Sequence, residues 1–323
     1  MKAAIRTRYG SPEVVRVGET AKPSVKEGEL LIKVRAATVN RSDCGVRAAK
    51  PFIYRFALGL ARPKLTILGT EFAGEVEEVG PGVTAFRPGD RVFGFNDKTF
   101  GTQAQYMTIA QTGTLALVPE GLSYEEAAPS TEGSHYALTM IKGAKVEAGH
   151  RVLLNGATGA IGSAGVQLLR AMGAEVTATC DTKNLDLVRS LGATRVIDYT
   201  AEDFTKDPHR YDAVIDAVGK STFGRCRRLL KPRGVYIASD VGPFWQNLLL
   251  ALVTPLFGGR KVRFPIPSHG PATALYFKEL IETGRFTPVI DRRYPLDEIV
   301  DAYRYVESGR KTGNVVIVVG HPD

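Results

Sequence analysis

The chain has 323 residues, of which 44% are hydrophobic and 24% are charged, and its formal net charge is +8. These proportions are ordinary for a globular protein, and the length predicts about two domains with ample cores. Lysines and arginines are spread along the chain and form no basic stripe with interleaved aromatics, so a nucleic-acid partner is not expected. The positive charge suits an anionic cofactor or substrate.

The cysteines and the N-terminus indicate where the protein works. Cys44, Cys180 and Cys226 are odd in number and far apart, so they predict neither a disulfide framework nor closely spaced metal ligands. A reducing compartment is therefore expected. Residues 1–10 have no apolar signal core, and no stretch reaches the ~18 apolar residues of a membrane-spanning helix. We expect a cytoplasmic protein without membrane contact.

The first 120 residues predict a β-rich domain. Short runs of strand-forming residues are separated by turns rich in glycine and proline. Many short strands with such turns are typical of a barrel or a sandwich-like domain. The predicted strands lie at 30–39, 71–79, 91–95, 103–109 and 115–118.

Two apolar segments interrupt the regular patterns. Residues 50–65 are apolar and basic and contain no acid. We interpret them as a lid or loop packed over a cleft; the alternative is a membrane-surface helix, which Pro51 and Pro63 would cut short. Residues 244–257 are strongly apolar, but their length and Pro255 exclude a membrane span. They predict a helix that covers a cleft or forms an oligomer contact.

From about residue 121 strands and helices alternate. This pattern is typical of a parallel sheet with helices on both faces, and ligands of such sheets bind outside the carboxyl ends of the strands. Helical patterns at 274–281 and 295–306 then precede a closing strand at 314–319. In the alternating region we predict strands at 151–155, 175–179, 195–197, 213–217 and 235–239, and helices at 160–172, 184–191 and 223–230.

Residues 151–183 read as strand, glycine turn, helix and strand. Gly156 permits a tight turn, Gly159 lets backbone N–H groups approach phosphates, and Gly162 lets helix and strand pack closely. A pyrophosphate would lie on the helix N-terminus, so the unit predicts a dinucleotide site. Further predicted cofactor contacts lie in the turn, at the strand ends and on the closing strand: Thr158, Ala160, Ile161, Asp181, Thr182, Lys183, Tyr199, Val218, Gly219, Ser239, Asp240, Val241 and Asn314.

Several longer motifs accompany these features. They include VNRSD at 39–43, GTEFAGEVEEVGPGVTAFRPGDRVFGF at 69–95, YDAVIDAVG at 211–219 and PVIDRRYPLDEIVDAYRYVESGRKTGNVVIVV at 288–319. With the glycine unit, they make the chain resemble the medium-chain dehydrogenase/reductase superfamily, in its zinc-free quinone oxidoreductase-like branch. The resemblance covers essentially the whole chain.

This resemblance implies an α/β protein made of two domains. A GroES-like β-barrel domain would comprise residues 1–120 and 265–323, and a Rossmann domain with a doubly wound parallel sheet would comprise residues 121–264. The active cleft would lie between them. Members of the family typically form homodimers or tetramers and transfer a hydride from a nicotinamide cofactor.

The residues at the family's zinc position predict that no metal is bound. Zinc-bearing relatives use a Cys where this chain has Asn40, and a Gly-His-Glu where it has Gly69-Thr70-Glu71. One remaining carboxylate cannot make a zinc site, which needs about four ligands, and we interpret the nearby Cys44 as a small buried thiol. Without a Lewis acid, alkoxide stabilisation loses its usual source. That favours reduction of a quinone or an activated C=C bond.

The end of the second Rossmann strand bears on the choice of nicotinamide cofactor. An acid there would bind the ribose of NAD, and by the family alignment its position falls at neutral Thr179. Lys183 lies where NADPH-using relatives place a phosphate-binding cation, although Asp181 nearby opposes a phosphate. We expect NADP(H) in preference to NAD(H), with Tyr199 under or beside the adenine.

Residues 129–137 suggest a proton relay. Glu132, His135 and Tyr136 lie at helical spacings of three and four, so they share one face. Tyr136 aligns with a threonine that contacts the nicotinamide in relatives. Glu132 could orient His135, and His135 or Tyr136 could donate a proton to the substrate, with Asn40 as an orienting amide. The alternative is a structural cluster that fixes the interdomain hinge.

The function predicted from the sequence is NADPH-dependent reduction of quinones or α,β-unsaturated carbonyls. The alternatives are a zinc-free alcohol or aldehyde dehydrogenase and a non-catalytic dinucleotide-binding protein. The glycine unit argues that the cofactor binds in each case, but it does not by itself require turnover.

Overall fold

The computed structural model describes residues 1–52, 54–267 and 269–322. The chain divides into two compact units, Met1–Glu132 with His269–Asp323, and Gly133–Ser268. Residues 121–132, which the sequence analysis placed in the second domain, belong to the first unit because their helix packs on strands of that unit. Residues 265–267 belong to the second unit.

The first unit begins with strands, joined by turns and short helices. In chain order these are β1 (Lys2–Arg6), β2 (Val15–Glu19), β3 (Glu29–Val39), α1 (Arg41–Ala48), α2 (Tyr54–Leu58), β4 (Glu71–Val79), β5 (Arg91–Phe95), β6 (Tyr106–Ala110), β7 (Thr114–Leu117) and α3 (Tyr124–Ala127).

The second unit alternates helices and strands. They are α4 (Glu132–Ala144), β8 (Arg151–Asn155), α5 (Ala160–Ala171), β9 (Glu175–Cys180), α6 (Leu185–Ser190), β10 (Arg195–Asp198), β11 (Tyr211–Asp216), α7 (Phe223–Cys226), β12 (Leu230–Ala238), α8 (Gln246–Val253) and β13 (Lys261–Arg263). The chain then returns to the first unit with α9 (Pro271–Glu282), β14 (Ile290–Pro295), α10 (Ile299–Glu307) and β15 (Asn314–Val318).

Both chain ends build the main sheet of the first unit. Its strand order is β14-β15-β3-β4-β5-β7, with β6 also paired to β3. The C-terminal strand β15 is antiparallel to β3, with Val315 opposite Val39, so the start of β15 lies beside the end of β3. This confirms the predicted β-rich fold of the first unit.

The sheet of the second unit is parallel throughout its described strands. The order is β10-β9-β8-β11-β12-β13. The order reverses between β8 and β11, and in such sheets ligands bind in the crevice outside the carboxyl ends of the strands at this switch point. The predicted doubly wound Rossmann sheet is confirmed, and the glycine unit lies at its switch point.

Most predicted strands of the second unit are found within one or two residues of their predicted bounds. The exceptions lie near the sheet edge. The predicted helix at 223–230 is found as α7 followed by a 3-10 helix at Arg227–Leu229, and β12 begins at Leu230, ahead of its predicted start at residue 235. Strand β13 was not predicted, because three residues are too few to show the alternation of apolar and polar side chains that indicates a strand.

The two apolar segments leave large side chains exposed. Around α2, Phe52, Phe56 and Leu60 are at least 60% exposed. In the segment containing α8, Leu252 and Phe257 are at least 75% exposed. None of the described helices has the length and apolar character needed to cross a membrane.

Candidate active site

The glycine turn of the second unit has the geometry its sequence predicted. Gly156 has φ +85°, a conformation that L side chains rarely adopt. A Cβ on Gly162 would lie 1.9 Å from the carbonyl oxygen of Gly156, so only glycine lets α5 begin this close to the end of β8. Gly159 is the N-cap of α5, and a Cβ there would meet nothing within 4 Å. The turn is therefore open on the side of Gly159 and closed at Gly162.

A buried hydrogen-bond network lies beneath this turn. The Thr179 hydroxyl donates to Asn155 Oδ1 (2.7 Å) and accepts from the Gly156 N–H (3.0 Å). Asn155 Nδ2 donates to Asp216 Oδ1 (3.0 Å), whose other oxygen accepts from the Ser221 N–H (2.7 Å). The network joins the carboxyl ends of β8, β9 and β11 and holds the turn in place.

This network changes what Thr179 implies about the preference for NAD(H) or NADP(H). Its side chain is fully buried and engaged with Asn155 and Gly156. An acid at this position would point into the buried hydrogen-bond network and not toward a ribose. The neutrality of Thr179 is therefore weak evidence for NADP(H) over NAD(H). The evidence on cofactor choice comes instead from Asp181 and Lys183, beyond the strand end.

Asp181 and Lys183 form an ion pair at the end of β9. Lys183 Nζ lies 3.7 Å from Asp181 Oδ2, and the lysine side chain is 63% exposed. Asn184 Nδ2 donates to the other oxygen of Asp181. Thr182 is engaged elsewhere, since its hydroxyl donates to Asp198 Oδ2 at 2.6 Å. The Asp181 carboxylate is thus bound by its own neighbours, and the Lys183 ammonium is open to solvent.

The other predicted cofactor residues of the second unit follow the ends of its strands. Tyr199 and Val218 are 53% and 41% exposed, and Val218 packs against Gly156, where a Cβ would meet it at 2.4 Å. A Cβ on Gly219 would lie 2.5 Å from Asp240 Oδ2, so these two residues adjoin. Thr158, Ala160, Ile161 and Val241 are partly exposed, and Ser239 is exposed.

Asn314, the remaining predicted cofactor residue, belongs to the first unit. It is 3% exposed, and its Nδ2 donates to the carbonyl of Val289 at 3.0 Å. Its Oδ1 is buried without a hydrogen-bond partner among the described residues. A buried acceptor in this state is costly unless a ligand supplies a donor.

The first unit contains a buried carboxylate cluster, made of Asp43, Glu71 and Glu132. Their burial is nearly complete, at 0%, 0% and 4% exposed. Asn40 joins two of them, because its Nδ2 donates to Glu71 Oε2 (2.9 Å) and to Glu132 Oε2 (2.7 Å). Asp43 is bound separately, accepting from the backbone N–H groups of Asn40 (2.8 Å) and Gly69 (3.1 Å).

The hydroxyl groups around the cluster divide between Glu71 and Glu132. Glu71 accepts from Thr38 Oγ1 (2.9 Å), from the backbone N–H (2.9 Å) and hydroxyl (3.2 Å) of Thr131, and from the backbone N–H of Glu132. Glu132 accepts instead from the hydroxyls of Ser42 and Thr70. Both Glu132 oxygens therefore have partners in the first unit, and the orientation of His135 by Glu132 stays a prediction.

Burial shifts the protonation of these groups. Burial, reinforced by the neighbouring Glu71, raises the pKa of Glu132 to about 7. Burial also raises the pKa values of Asp43 and Glu71. In the same unit, burial lowers the pKa of Lys311 to about 8, although the nearby Glu132 and Glu71 oppose that shift. Groups with such shifts in one cluster are typical of functional sites.

The remaining predicted residues lie on α4 and α1. His135 is 1% exposed, and its ring lies 5.6 Å from that of Tyr136, centroid to centroid. Thr139 Oγ1 donates to the backbone carbonyl of His135 at 2.8 Å. Cys44 is buried, which raises the pKa of its thiol to about 12, so it stays protonated and unreactive.

Sequence analysis did not single out Ser42, Asp43, Thr70 or Lys311 as site residues. Ser42 and Thr70 bond to Glu132, which lies 90 and 62 residues further along the chain. The one local signal was the spacing of Asn40 and Asp43, since an acid three residues after an N-cap commonly bonds back to it.

Comparison with known proteins assigns the family. Two family models match, an alcohol dehydrogenase GroES-like domain over residues 26–120 and a zinc-binding dehydrogenase over residues 191–317. A 2-methylene-furan-3-one reductase of Solanum lycopersicum is 34% identical, covering 100% of this chain and 79% of its own length. A chloroplastic NADPH-dependent alkenal/one oxidoreductase of Arabidopsis thaliana is 31% identical over 98% and 79%.

A solved structure agrees with these relatives. The quinone oxidoreductase from Coxiella burnetii matches with a TM-score of 0.88 and 28% identity, covering 99% of both chains. The chain therefore belongs to the medium-chain dehydrogenase/reductase superfamily and is an NAD(P)H-dependent oxidoreductase.

Proposed function

We propose that the protein reduces α,β-unsaturated carbonyl compounds or quinones with NADPH and without zinc. The observation that carries this proposal is the hydrogen bonding of the carboxylate cluster at the family's zinc position. Asn40 and Thr70 occupy the positions at which zinc-bearing relatives carry a Cys and a His, and here Asn40 bonds to Glu71 and Glu132 while Thr70 bonds to Glu132. Relatives that reduce alkenals and quinones support the same substrate class.

The donor set of the cluster does not fit zinc. Zinc sites in proteins use thiolate, imidazole and carboxylate ligands. Asn40 presents its amide nitrogen, which is no ligand, to two carboxylates, and Thr70 uses its hydroxyl as a donor to Glu132. Among the described residues no group of three or more His, Cys, Asp and Glu side chains is arranged to hold a metal. Activity should accordingly survive exhaustive chelation, and stoichiometric zinc in the purified protein would overturn this part of the proposal.

The nicotinamide cofactor fits the second unit. Gly156, Gly159 and Gly162 would place its pyrophosphate at the start of α5, and Lys183 would face a ribose phosphate. Bound there, the reduced nicotinamide supplies a hydride. Asp181 remains compatible with NADPH because Asn184 and Lys183 already bind its carboxylate.

A proton must follow the hydride to complete the reduction. Glu132, with Asn40 donating to it, is the candidate source in the first unit, and burial keeps part of its population protonated near neutral pH. His135 and Tyr136 lie one turn further along α4 and are proposed to pass the proton on. The structural alternative, in which these groups only fix the hinge, predicts no change in the pH–rate profile when they are replaced.

The test is NADPH oxidation with a panel of quinones and α,β-unsaturated ketones, run beside NADP reduction with a panel of alcohols. We expect turnover with the first panel and none with the second. Alcohol-dependent reduction alone would favour a zinc-free alcohol dehydrogenase. NADPH binding without turnover on either panel would favour a non-catalytic dinucleotide-binding protein.

We also propose a homodimer. Strand β13 has one described sheet neighbour, β12, and α8 next to it exposes Leu249 and Leu252 at 63% and 75%. An open strand edge beside exposed apolar side chains favours pairing with a second copy. Light scattering after gel filtration should give twice the mass of one chain, and Leu252→Ser should lower it. That the protein works in the cytoplasm remains a prediction.

A further inference from the structure

Residues 50–52 and 54–65, here called the α2 segment, expose several large apolar side chains. Phe52, Phe56 and Leu60 are 61%, 69% and 60% exposed. The rings of Phe52 and Phe56 meet edge to face, with 6.1 Å between their centroids. A lid packed over a cleft buries such side chains. Their exposure therefore favours the alternative interpretation, a membrane-surface element, over the expected lid.

Hydrogen bonds hold the α2 segment to the rest of the first unit. Arg6 is 1% exposed, and it donates through Nη1 to the carbonyl of Val46 (2.7 Å) and through Nη2 to that of Leu65 (3.2 Å). It thereby fastens the chain before the segment and at its end. The Tyr9 hydroxyl donates to the carbonyl of Gly59 within the segment (2.7 Å). The exposed apolar side chains therefore stand on backbone that is fixed at several points.

The α2 segment carries positive charge only. No acid occurs from residue 44 to residue 70. The cations of the segment are Lys50, Arg55, Arg62 and Lys64. Two of them lie beside apolar side chains, since the Arg55 guanidinium is 5.2 Å from the centre of the Phe52 ring, and Lys64 Cγ lies 3.4 Å from where a Cβ on Gly59 would be. Cations beside exposed aromatic and aliphatic side chains are typical of surfaces that bind anionic lipids.

The same charges disfavour a second copy of the chain as the partner. A twofold interface brings the same patch of both copies together, so the cations of the α2 segment would meet cations. The exposed segment that contains α8 differs, because residues 244–257 carry no charge, and it suits the proposed homodimer. An anionic bilayer matches both properties of the α2 segment, since its headgroups attract the cations and its acyl region takes up the aromatic rings.

We propose that the α2 segment binds the surface of a membrane that contains anionic lipids. Phe52, Phe56 and Leu60 enter the boundary between headgroups and acyl chains, and the four cations of the segment bind the anionic headgroups. Helix α2 has five residues, so the segment lies on the bilayer and does not span it.

The test is co-sedimentation of the whole protein with vesicles of phosphatidylcholine, either alone or mixed with phosphatidylserine. We expect binding to the mixed vesicles at low salt and its loss at high salt, because ions screen the surface charge. Phe52→Ser combined with Phe56→Ser should weaken binding about tenfold or more. Arg62→Gln combined with Lys64→Gln should weaken it about 25-fold, since each cation near an anionic surface strengthens binding about fivefold.

Matched variants control for lost apolar surface and lost charge elsewhere. Leu275→Ser removes a side chain that is 55% exposed on α9. Lys145→Gln combined with Lys206→Gln removes two exposed cations of the second unit. Both should leave vesicle binding within about twofold of the wild type, because screened charges outside the contact contribute little. Thermal unfolding of all these variants should match the wild type, since the replaced side chains are exposed or partly exposed.

Several results would overturn the proposal. One is no binding to either kind of vesicle, and another is equal binding with and without phosphatidylserine. Binding to polyglutamate but not to vesicles would assign the segment to an acidic protein partner. A lower mass of Phe56→Ser in light scattering, with no vesicle binding by the wild type, would assign it to a second copy of the chain. The measurement uses no substrate, so its outcome does not depend on the proposed reduction.

Discussion

Gly162→Ala is the sharpest perturbation of the predicted cofactor site. The new Cβ would lie 1.9 Å from the Gly156 carbonyl oxygen and 2.9 Å from Ala157 Cα. Both are backbone atoms, so relief requires α5 to move away from β8 by about 1 Å or more. Overpacking of this kind typically costs about 1–3 kcal/mol, and we expect the free energy of unfolding to fall by about 2 kcal/mol. Because the displaced N-terminus of α5 is the proposed phosphate site, NADPH affinity should fall at least about tenfold.

Gly159→Ala is the matched control for this effect. A Cβ at this position meets nothing within 4 Å, and the backbone angles, φ −74° and ψ 174°, suit any residue. Urea unfolding should therefore change by no more than about 1 kcal/mol, the usual cost of alanine at a helix N-cap. Titration calorimetry should still show weaker NADPH binding, because the methyl group points into the space proposed for the phosphates. Wild-type stability and affinity in Gly162→Ala would refute this account of the turn, and unchanged NADPH affinity in Gly159→Ala would remove the phosphates from it.

Three further predictions concern single side chains. Lys183→Ala should raise the KM for NADPH about tenfold or more and leave that for NADH within about twofold, since a charge-assisted contact is worth ~1–3 kcal/mol; equal effects would make Asp181 the ribose ligand. The free energy of unfolding of Glu132→Gln, relative to that of the wild type, should rise by up to about 3 kcal/mol as the pH rises from about 4.5 to about 7, because only the wild type has a Glu132 that ionises on unfolding in that range. If urea unfolding gives the same pH dependence for both proteins, the raised pKa of Glu132 is contradicted. His135→Gln and Tyr136→Phe should each lower kcat by ~10²-fold and shift its pH profile, whereas losses within about threefold would leave them structural.

The elements that the sequence predicted well are those with a strong local pattern. Residues 151–171 carry a buried strand, spaced glycines and an amphipathic helix, and the structure has this unit at the predicted positions. The edge strands β13 and β14 were missed. Their residues are too few or too exposed to show alternating apolar and polar side chains. Local spacing therefore gives the core of a sheet more reliably than its edges.

The candidate site shows a second limit. Asn40 and Glu132 were named from the sequence, but their contact across 92 residues follows from the pairing of distant strands. Thr179 illustrates the opposite error, since its alignment suggested a ligand-facing side chain and the strand turns it into a buried network. Side-chain direction depends on the fold, which spacing alone does not supply.

The most direct test of the proposed reduction follows the hydrogen atoms. NADPH carrying deuterium at either face of C4 is incubated with an α,β-unsaturated ketone in ordinary water, and the saturated product is examined by NMR. We predict one deuterium at the β carbon from one of the two labelled forms, none from the other, and a solvent-derived hydrogen at the α carbon. NADPH binding with neither deuterium transfer to an enone nor NADPH oxidation by a quinone would contradict the proposed function.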